Sequence, residues 1–229
     1  KQVLFGEQSI EGLEGGLEHR EGRLQAGLRS QGKPQPIVDL ELWQTQDRML
    51  GTLALQVDAR TVDTGPLASR LTGDLLRDGR LDLRLEGGWT EAQGLRWGGT
   101  LHTFWAGFDG FELTQARPAR VQGDAGTARL DLELLGRTRL AGKPQEGPPG
   151  VAGRLRLDGG LPLVPGGPLG LRLRGDMGLA NLKAVLGHLA GLDPYSLLAD
   201  LKPAGDAVLD LTLGGSYGNP RLDGTLSLA

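Results

Sequence analysis

Cysteine is absent from the 229-residue chain, and this excludes disulfide bonds and thiolate chemistry. The net charge is -3, so the chain lacks the cationic excess that a nucleic-acid partner would require. No apolar run approaches the roughly 20 residues of a membrane-spanning helix. Aromatic residues make up 4% of the chain, too few for the aromatic girdles of a membrane-spanning barrel. We therefore expect a protein without a nucleic-acid partner, and a cysteine-free chain is compatible with an oxidising cell envelope.

Residue patterns typical of catalysis or metal binding are also missing. His19, His102 and His188 stand far apart and in different contexts, without the spacing of metal ligands. Gly159-Gly160 and Gly166-Gly167 lack the following lysine and hydroxyl residue of a phosphate-binding loop. The sequence therefore predicts no catalytic residues, no metal site and no cofactor.

Alternation of leucine with polar residues is the main pattern that is present. Leu209, Leu211 and Leu213 alternate with Asp210 and Thr212, and a strand sends such neighbours to opposite faces of a sheet. The same pattern predicts strands elsewhere, at 3–5, 23–29, 37–43, 49–59, 80–86, 95–105, 111–116, 119–122, 128–134, 151–158, 168–174 and 222–228. These segments predict an all-β, mainly antiparallel fold with two or three short helices.

Proline and glycine mark the connections between these strands. Residues 214–220 hold Pro220, which lacks an N–H and restricts the residue before it, so we expect a turn there. The proline-rich segment 143–150 is either a long hairpin loop or an internal boundary. We interpret residues 1–229 as one elongated β-rich fragment of a longer chain.

Two segments have helical spacing instead. After Pro66, leucines recur at every fourth position through residue 75. Residues 179–201 form the clearer helical insert, in which Leu182, Leu186 and Leu189 fall on one face. These three leucines need an apolar partner, so we expect the insert to plug or cap an apolar groove.

The last strand pair resembles a known family. Residues 218–226, Gly-Asn-Pro-Arg-Leu-Asp-Gly-Thr-Leu, follow a Leu-Asp-Leu-x-Leu-x-Gly strand and resemble the G-N-P-x-L-x-G-x-L element of the TamB family. These AsmA-like proteins of diderm bacteria are anchored in the inner membrane. The match is tight over 205–229 and looser over 67–88 and 168–201.

The resemblance implies a curved, half-open sheet, the "β-taco", with an apolar inner groove. It further implies phospholipid transport between the inner and outer membranes, a periplasmic location, an inner-membrane anchor outside this fragment and an outer-membrane barrel partner of the TamA/BamA type. Each acyl CH₂ exposed to water costs about 0.8 kcal/mol, so a chain of about 16 carbons needs roughly 12 kcal/mol of apolar cover. The leucines expected to contact phospholipid acyl chains are Leu53, Leu55, Leu81, Leu83, Leu85, Leu130, Leu132, Leu134, Leu155, Leu157, Leu171, Leu173, Leu209, Leu211, Leu213, Leu226 and Leu228.

Other interpretations fit the same alternation. The leucines could fill the closed core of a β-sandwich or barrel. An open sheet could pair with strands of nascent outer-membrane proteins and act as an assembly scaffold. Trp89, Trp97 and Trp105 recur every eight residues and could stack sugars in a carbohydrate-binding β-sandwich, although core packing also uses such residues. The preference for leucine over β-branched residues is equally explained by a high-GC coding bias.

Overall fold

The computed structural model describes residues 3–5, 8–10, 13–30, 36–58, 78–108, 111–138, 151–164, 166–179, 205–216 and 219–228. Almost all of them lie in antiparallel strands. The strands are β1 (Val3–Phe5), β2 (Gln8–Ile10), β3 (Leu13–Arg20), β4 (Arg23–Ser30), β5 (Pro36–Thr45), β6 (Arg48–Asp58), β7 (Asp78–Thr90), β8 (Gly94–Phe108), β9 (Phe111–Gln115), β10 (Ala119–Asp124), β11 (Thr127–Thr138), β12 (Val151–Pro162), β13 (Gly170–Gly178), β14 (Asp206–Ser216) and β15 (Asn219–Leu228).

The strands from β3 to β15 form one 13-stranded sheet, in which each strand except β9 pairs with the next along the chain. β9 and β10 lie end to end between β8 and β11, so the 13 strands fill twelve positions in the sheet order. With strands about 4.8 Å apart, these positions extend over about 53 Å. β3 and β15 are the edge strands and have one partner each within the described residues. β1 and β2 form a separate two-stranded sheet.

The connections at the two ends of the strands differ in length. At one end, the turn end, short segments such as 21–22, 46–47, 91–93 and 125–126 join successive strands. The connections at the opposite end include the long segments between β6 and β7, β11 and β12, and β13 and β14. The predicted helices and the proline-rich segment 143–150 belong to these connections and lie outside the described residues.

Irregular pairing interrupts the sheet near its centre. The register between β7 and β8 shifts after Asp82, because β8 carries one extra residue at this point. The break between β9 and β10 lies on the other side of β8 at the same level. Such bulges bend a strand and increase its local twist. They also change which residues face which side, so that Leu101 and Phe104 of β8 lie on the same face.

The all-β antiparallel prediction is confirmed, while one local prediction was wrong and another was right except in its bounds. Only one strand was predicted between residues 12 and 30, whereas β3 and β4 form a hairpin there. Residues 214–220 were predicted to turn, and the chain does reverse direction within them to form the antiparallel β14–β15 pair, but β14 extends to Ser216 and β15 begins at Asn219, so most of this segment lies in strands. Gly215 pairs with Pro220 inside this ladder. The proline is tolerated because β15 is an edge strand and need donate to a neighbour on one side only.

Candidate functional site

The strand register places all the predicted acyl-contact leucines of β6, β7, β11, β12, β13, β14 and β15 on one face of the sheet. Directly paired residues of neighbouring strands share a face, and residues two apart in a regular strand do so too. Leu209, for example, pairs with Leu226 on one side and with Gly175 on the other, and Gly175 pairs with Leu155. We call this the apolar face.

One row of paired residues crosses all twelve positions without a polar side chain. Its members, from β15 to β3, are Leu222, Leu213, Leu171, Gly159, Leu130, Val121, Gly99, Leu85, Leu53, Leu40, Ala26 and Leu17. Every step in this row is a direct cross-strand pair. The apolar face is therefore continuous from one edge strand to the other.

A parallel row lies two residues further along the strands. From β14 to β4 it contains Leu211, Leu173, Leu157, Leu132, Leu101, Leu83, Leu55, Val38 and Leu28, with Ala119 packed beside Leu132 and Leu101. Several of these residues were not among the predicted acyl-contact leucines. The alternation in residues 37–43 could have identified Val38 of this row and Leu40 of the first row. Phe104 lies on the same face, but its position depends on the bulge in β8.

Burial on the apolar face is greatest from β8 to β14, next to the edge strand β15, and is lower at both edge strands. Leu209 and Leu155 are 2% and 3% exposed, and the buried core lies on β8 to β14 and the segment just before β13. Leu226 on β15 is 50% exposed, and Leu17 on β3 is 74% exposed. Burial also changes along the strands, because residues near the opposite end, such as Met177, are almost fully buried. Apolar surface therefore remains accessible at the edge strands and at the turn end.

The other face of the sheet carries charged side chains in diagonal ion pairs. Asp131 of β11 accepts two hydrogen bonds from the Arg156 guanidinium, at 2.8 and 2.7 Å. Arg172 of β13 makes the same bidentate contact with Asp210 of β14, at 2.8 and 2.6 Å. Arg174 and Asp158 connect the remaining pair of strands at 2.7 Å. This polar face presents a hydrated surface opposite the leucines.

The arginines of this ladder lower the pKa of two carboxyl groups. The hydrogen bonds from Arg156 hold the pKa of Asp131 below its ordinary value. Arg172 acts on the pKa of Asp210 in the same way. Hydrogen bonds and opposite charge both favour the ionised carboxylate. Both aspartates therefore stay charged at neutral pH.

Gln115 is a polar residue on the apolar face, next to the buried core. It pairs with Leu134 at the end of β9, and its Nε2 donates to the carbonyl oxygen of Leu101 at 2.8 Å. The same atom also donates to the Arg117 carbonyl oxygen. The side chain thus replaces ladder hydrogen bonds that are lost at the break between β9 and β10.

The three regularly spaced tryptophans do not form one platform. Trp89 and Trp97 lie on the apolar face, and Trp97 donates from its indole N–H to the Asp124 carbonyl oxygen at 2.9 Å. Trp105 follows the bulge, lies on the polar face and donates to Glu112 at 3.1 Å. A shared sugar-stacking surface is therefore absent from these three residues.

A cavity of about 350 Å³ lies at the turn end of β8, β10 and β11. Asp124 closes the turn between β10 and β11, because its Oδ1 accepts from the backbone N–H groups of Gly126 and Thr127 at 2.8 and 2.9 Å. These bonds lower the pKa of the Asp124 carboxyl group. The residues around the cavity are Arg96, Trp97, Gln122, Gly123, Asp124, Thr127 and Arg129.

The remaining predicted features lie outside the site or outside the described residues. Leu182, Leu186 and Leu189 of the predicted plug belong to a segment outside the described residues. His19 and His102 are exposed on different strands, and the described part of the chain contains no cluster of metal-ligating side chains. Among the described residues, no helix has the length and apolar character needed to cross a membrane.

No protein family model matches the chain, and no curated protein or solved structure matches it either. The resemblance to the TamB family therefore rests on the sequence pattern alone. The fold and the site define an open antiparallel sheet with one continuous apolar face and one charged face.

Proposed function

We propose that this protein is a non-catalytic carrier that conducts phospholipids along the apolar face of its sheet. The observation that supports this function best is the row of apolar residues that crosses all twelve positions of the sheet order. A ligand-binding pocket would end at a polar wall, whereas this row continues to both edge strands. An acyl chain could move along such a surface while its CH₂ groups remain covered.

The distribution of exposure supports the same function. A closed core buries its leucines throughout, but Leu213 and Leu85 remain half-buried and Leu222 is 58% exposed. Accessible apolar surface of this extent is typical of an interaction site. The charged polar face is compatible with an aqueous compartment. We propose that this compartment is the periplasm and that the full-length protein has an inner-membrane anchor elsewhere.

Site-specific photocrosslinking tests the lipid proposal. A p-benzoylphenylalanine residue at Leu213 would point to the apolar face, and one at Thr212 would point to the polar face of the same strand. After expression in a diderm bacterium, we expect phospholipid adducts by mass spectrometry at position 213 and none at 212. Equal labelling at the two positions, or no labelling at 213, would refute the proposal.

The edge strands support a second candidate function, strand pairing with nascent outer-membrane proteins. β15 pairs with β14 on one side only within the described residues, and its Leu226 and Leu228 are 50% and 70% exposed. A single-sided strand offers N–H and C=O groups to an incoming peptide. The partner would be an outer-membrane barrel protein, or its TamA/BamA-type assembly factor.

Amide hydrogen exchange distinguishes this second function from lipid transport. A peptide from a barrel strand should slow exchange in β15 or β3 if it adds to the sheet, while the central strand β12 serves as the internal control. Unchanged exchange in both edge strands at saturating peptide would exclude strand pairing and leave the lipid proposal unaffected.

A further inference from the structure

The cavity at the turn end has a lining suited to an anion. Arg96 of β8 and Arg129 of β11 both line it, and both side chains are exposed. Within the described part of the chain, neither forms a salt bridge such as those of Arg156 and Arg172 on the same, polar face, although both interact electrostatically with the Asp124 carboxylate. Two guanidinium groups are therefore available to a ligand in this cavity.

Asp124 is the one acidic side chain of the cavity lining. Its Oδ1 already accepts hydrogen bonds from two backbone N–H groups, so this oxygen stabilises the turn. Two arginines against one carboxylate leave an excess of positive charge around the cavity. Gln122 and Thr127 add polar groups that can contact phosphate oxygens.

Trp97 connects the cavity to the apolar face. It pairs with Gly87 of β7 and with Gly123 of β10, and its ring lies over Gly123, where a Cβ atom would clash with it. Its indole N–H is held by the Asp124 carbonyl oxygen at 2.9 Å. Tryptophan suits a boundary between apolar and wet surroundings because one end of the ring system is polar. Arg96 and Arg129 lie on the polar face, so a lipid with its phosphate at these arginines would have to pass its acyl chains around the turn end, beside Trp97, to reach the leucine rows.

We propose that Arg96 and Arg129 form a phosphate-ester site at the turn end of β8 and β11, on the polar face of the sheet. Guanidinium groups bind phosphate oxygens through charge-assisted, often bidentate hydrogen bonds. The phosphate belongs either to the head group of a phospholipid or to a soluble phosphate ester. The lipid form rests on the proposed function, since it requires acyl chains on the apolar face.

The test compares two double variants of equal charge. Arg96→Gln with Arg129→Gln removes the site, whereas Arg154→Gln with Arg221→Gln removes two exposed arginines far from the cavity. Exposed substitutions of this kind leave stability nearly unchanged, which a melting curve verifies. The probes are dioleoylphosphatidylglycerol, dioleoylglycerol with the same acyl chains but no phosphate, and glycerol 3-phosphate.

If the site binds head groups, the site variant should retain roughly fivefold less dioleoylphosphatidylglycerol than the parent. Its binding of dioleoylglycerol and the behaviour of the control variant should not change. High salt should weaken binding of the phosphate-bearing lipid more than that of dioleoylglycerol. Equal retention of both lipids by the site variant and the parent would overturn the phosphate site while lipid transport remains supported.

The soluble probe separates this proposal from the proposed function. If the parent retains neither lipid but binds glycerol 3-phosphate, and the site variant loses that binding, the lipid function fails and a site for soluble phosphate esters stands. If the parent binds neither lipid nor glycerol 3-phosphate, both proposals are wrong.

Discussion

Glycine has a defined place among the leucines of the apolar face. Gly175 lies in the middle of β13 with a φ of 145°, in a region of backbone space that other residues rarely adopt. A Cβ atom at this position would overlap the carbonyl oxygen of Arg154 on β12. The backbones of β12 and β13 can approach this closely only because the side chain is missing.

Gly175→Ala should therefore destabilise the protein by about 1–3 kcal/mol, the usual cost of a residue held in a disfavoured conformation. Urea unfolding measures this change. Gly170→Ala in the same strand is the control, since a Cβ there meets no atom within 4 Å and its φ is not positive. Equal stability of Gly175→Ala and the parent would show that β12 and β13 can separate without cost.

The carboxylates of the diagonal ion pairs make stability depend on pH. The pKa values of Asp131 and Asp210 are lowered from 3.8 in the folded protein by their arginine partners. A lowered folded pKa means that the stabilisation is fully present above pH 3.8 and is lost as the pH falls through the folded value. The pairs should therefore support the fold at neutral pH and fail in acid.

We expect the variant Asp131→Asn with Asp210→Asn to be less stable than the parent at pH 7 and to converge with it as the pH falls below 3.8 through the lowered folded pKa values. Urea midpoints measured between pH 7 and pH 2 test this. The exposed Asp223, which makes no ion pair within the described residues, provides the control substitution Asp223→Asn. A constant stability difference at every pH would contradict a role of the ion pairs.

At the scale of elements, the break between β9 and β10 depends on one side chain. Gln115 donates to the Leu101 carbonyl oxygen at the place where the ladder is interrupted. Gln115→Ala leaves that carbonyl without its donor in a half-buried position. We expect a loss of about 1–2 kcal/mol, because an unsatisfied buried group adds a desolvation cost to the lost bond.

Unfolding and amide exchange together check this expectation. Exchange should accelerate in β9 and β10 more than in β13, because the local break opens first. Gln25→Ala on the exposed surface of β4 should leave both measurements unchanged. Uniform acceleration across the sheet would indicate a global rather than a local role for Gln115.

An element could be predicted where its pattern lies within one segment of the chain, and could not be predicted where it depends on pairing with another strand. Alternation predicted strands such as β7 and β14, because Leu81 to Leu85 and Leu209 to Leu213 each fix a face within one segment. β3 was missed because Gly15 and Gly16 interrupt its alternation, and its pairing with β4 determines the strand. The extra residue in β8 could not be predicted, since it is defined only relative to β7.

In the candidate site, too, the local features could be predicted from the sequence and the features formed by strand pairing could not. The predicted acyl-contact leucines could be assigned to one face because alternation is local. The cavity at Arg96 and Arg129 brings together residues that lie more than thirty positions apart, through the pairing of Arg96 with Asp124 and of Gln122 with Arg129. No local pattern marks this arrangement. The tryptophan spacing was misleading because the bulge sends Trp105 to the polar face.

At the scale of the whole molecule, the sheet has a buried region from β8 to β14 and accessible edge strands. A carrier needs both properties. The buried region provides the stability that a single sheet would otherwise lack, since folded domains are stabilised by only about 5–15 kcal/mol. The accessible edge strands allow an apolar ligand to reach the leucine rows. Two positions of the same row can therefore differ in how they tolerate a charge.

Leu132 and Leu211 lie in the same row and test this difference. Leu132 is 5% exposed, so an arginine there would bury an unpaired charge at a cost of several kcal/mol, and we expect Leu132→Arg to unfold. Leu211 is half-buried on β14, where the long stem of an arginine can carry its charged end to water. Leu211→Arg should stay folded but place a polar barrier in the path of acyl chains.

Melting temperature and lipid crosslinking from position 213 measure the two effects separately, with Thr212→Arg on the polar face as the control. We expect Leu211→Arg to melt close to the control and to give clearly fewer phospholipid adducts, because acyl chains must pass a charged group to occupy the row. A folded Leu211→Arg with undiminished crosslinking would refute lipid transport along this face. An unfolded Leu211→Arg would instead show that the leucine rows form an ordinary closed core, since only a site without access to water fails to accommodate the charge.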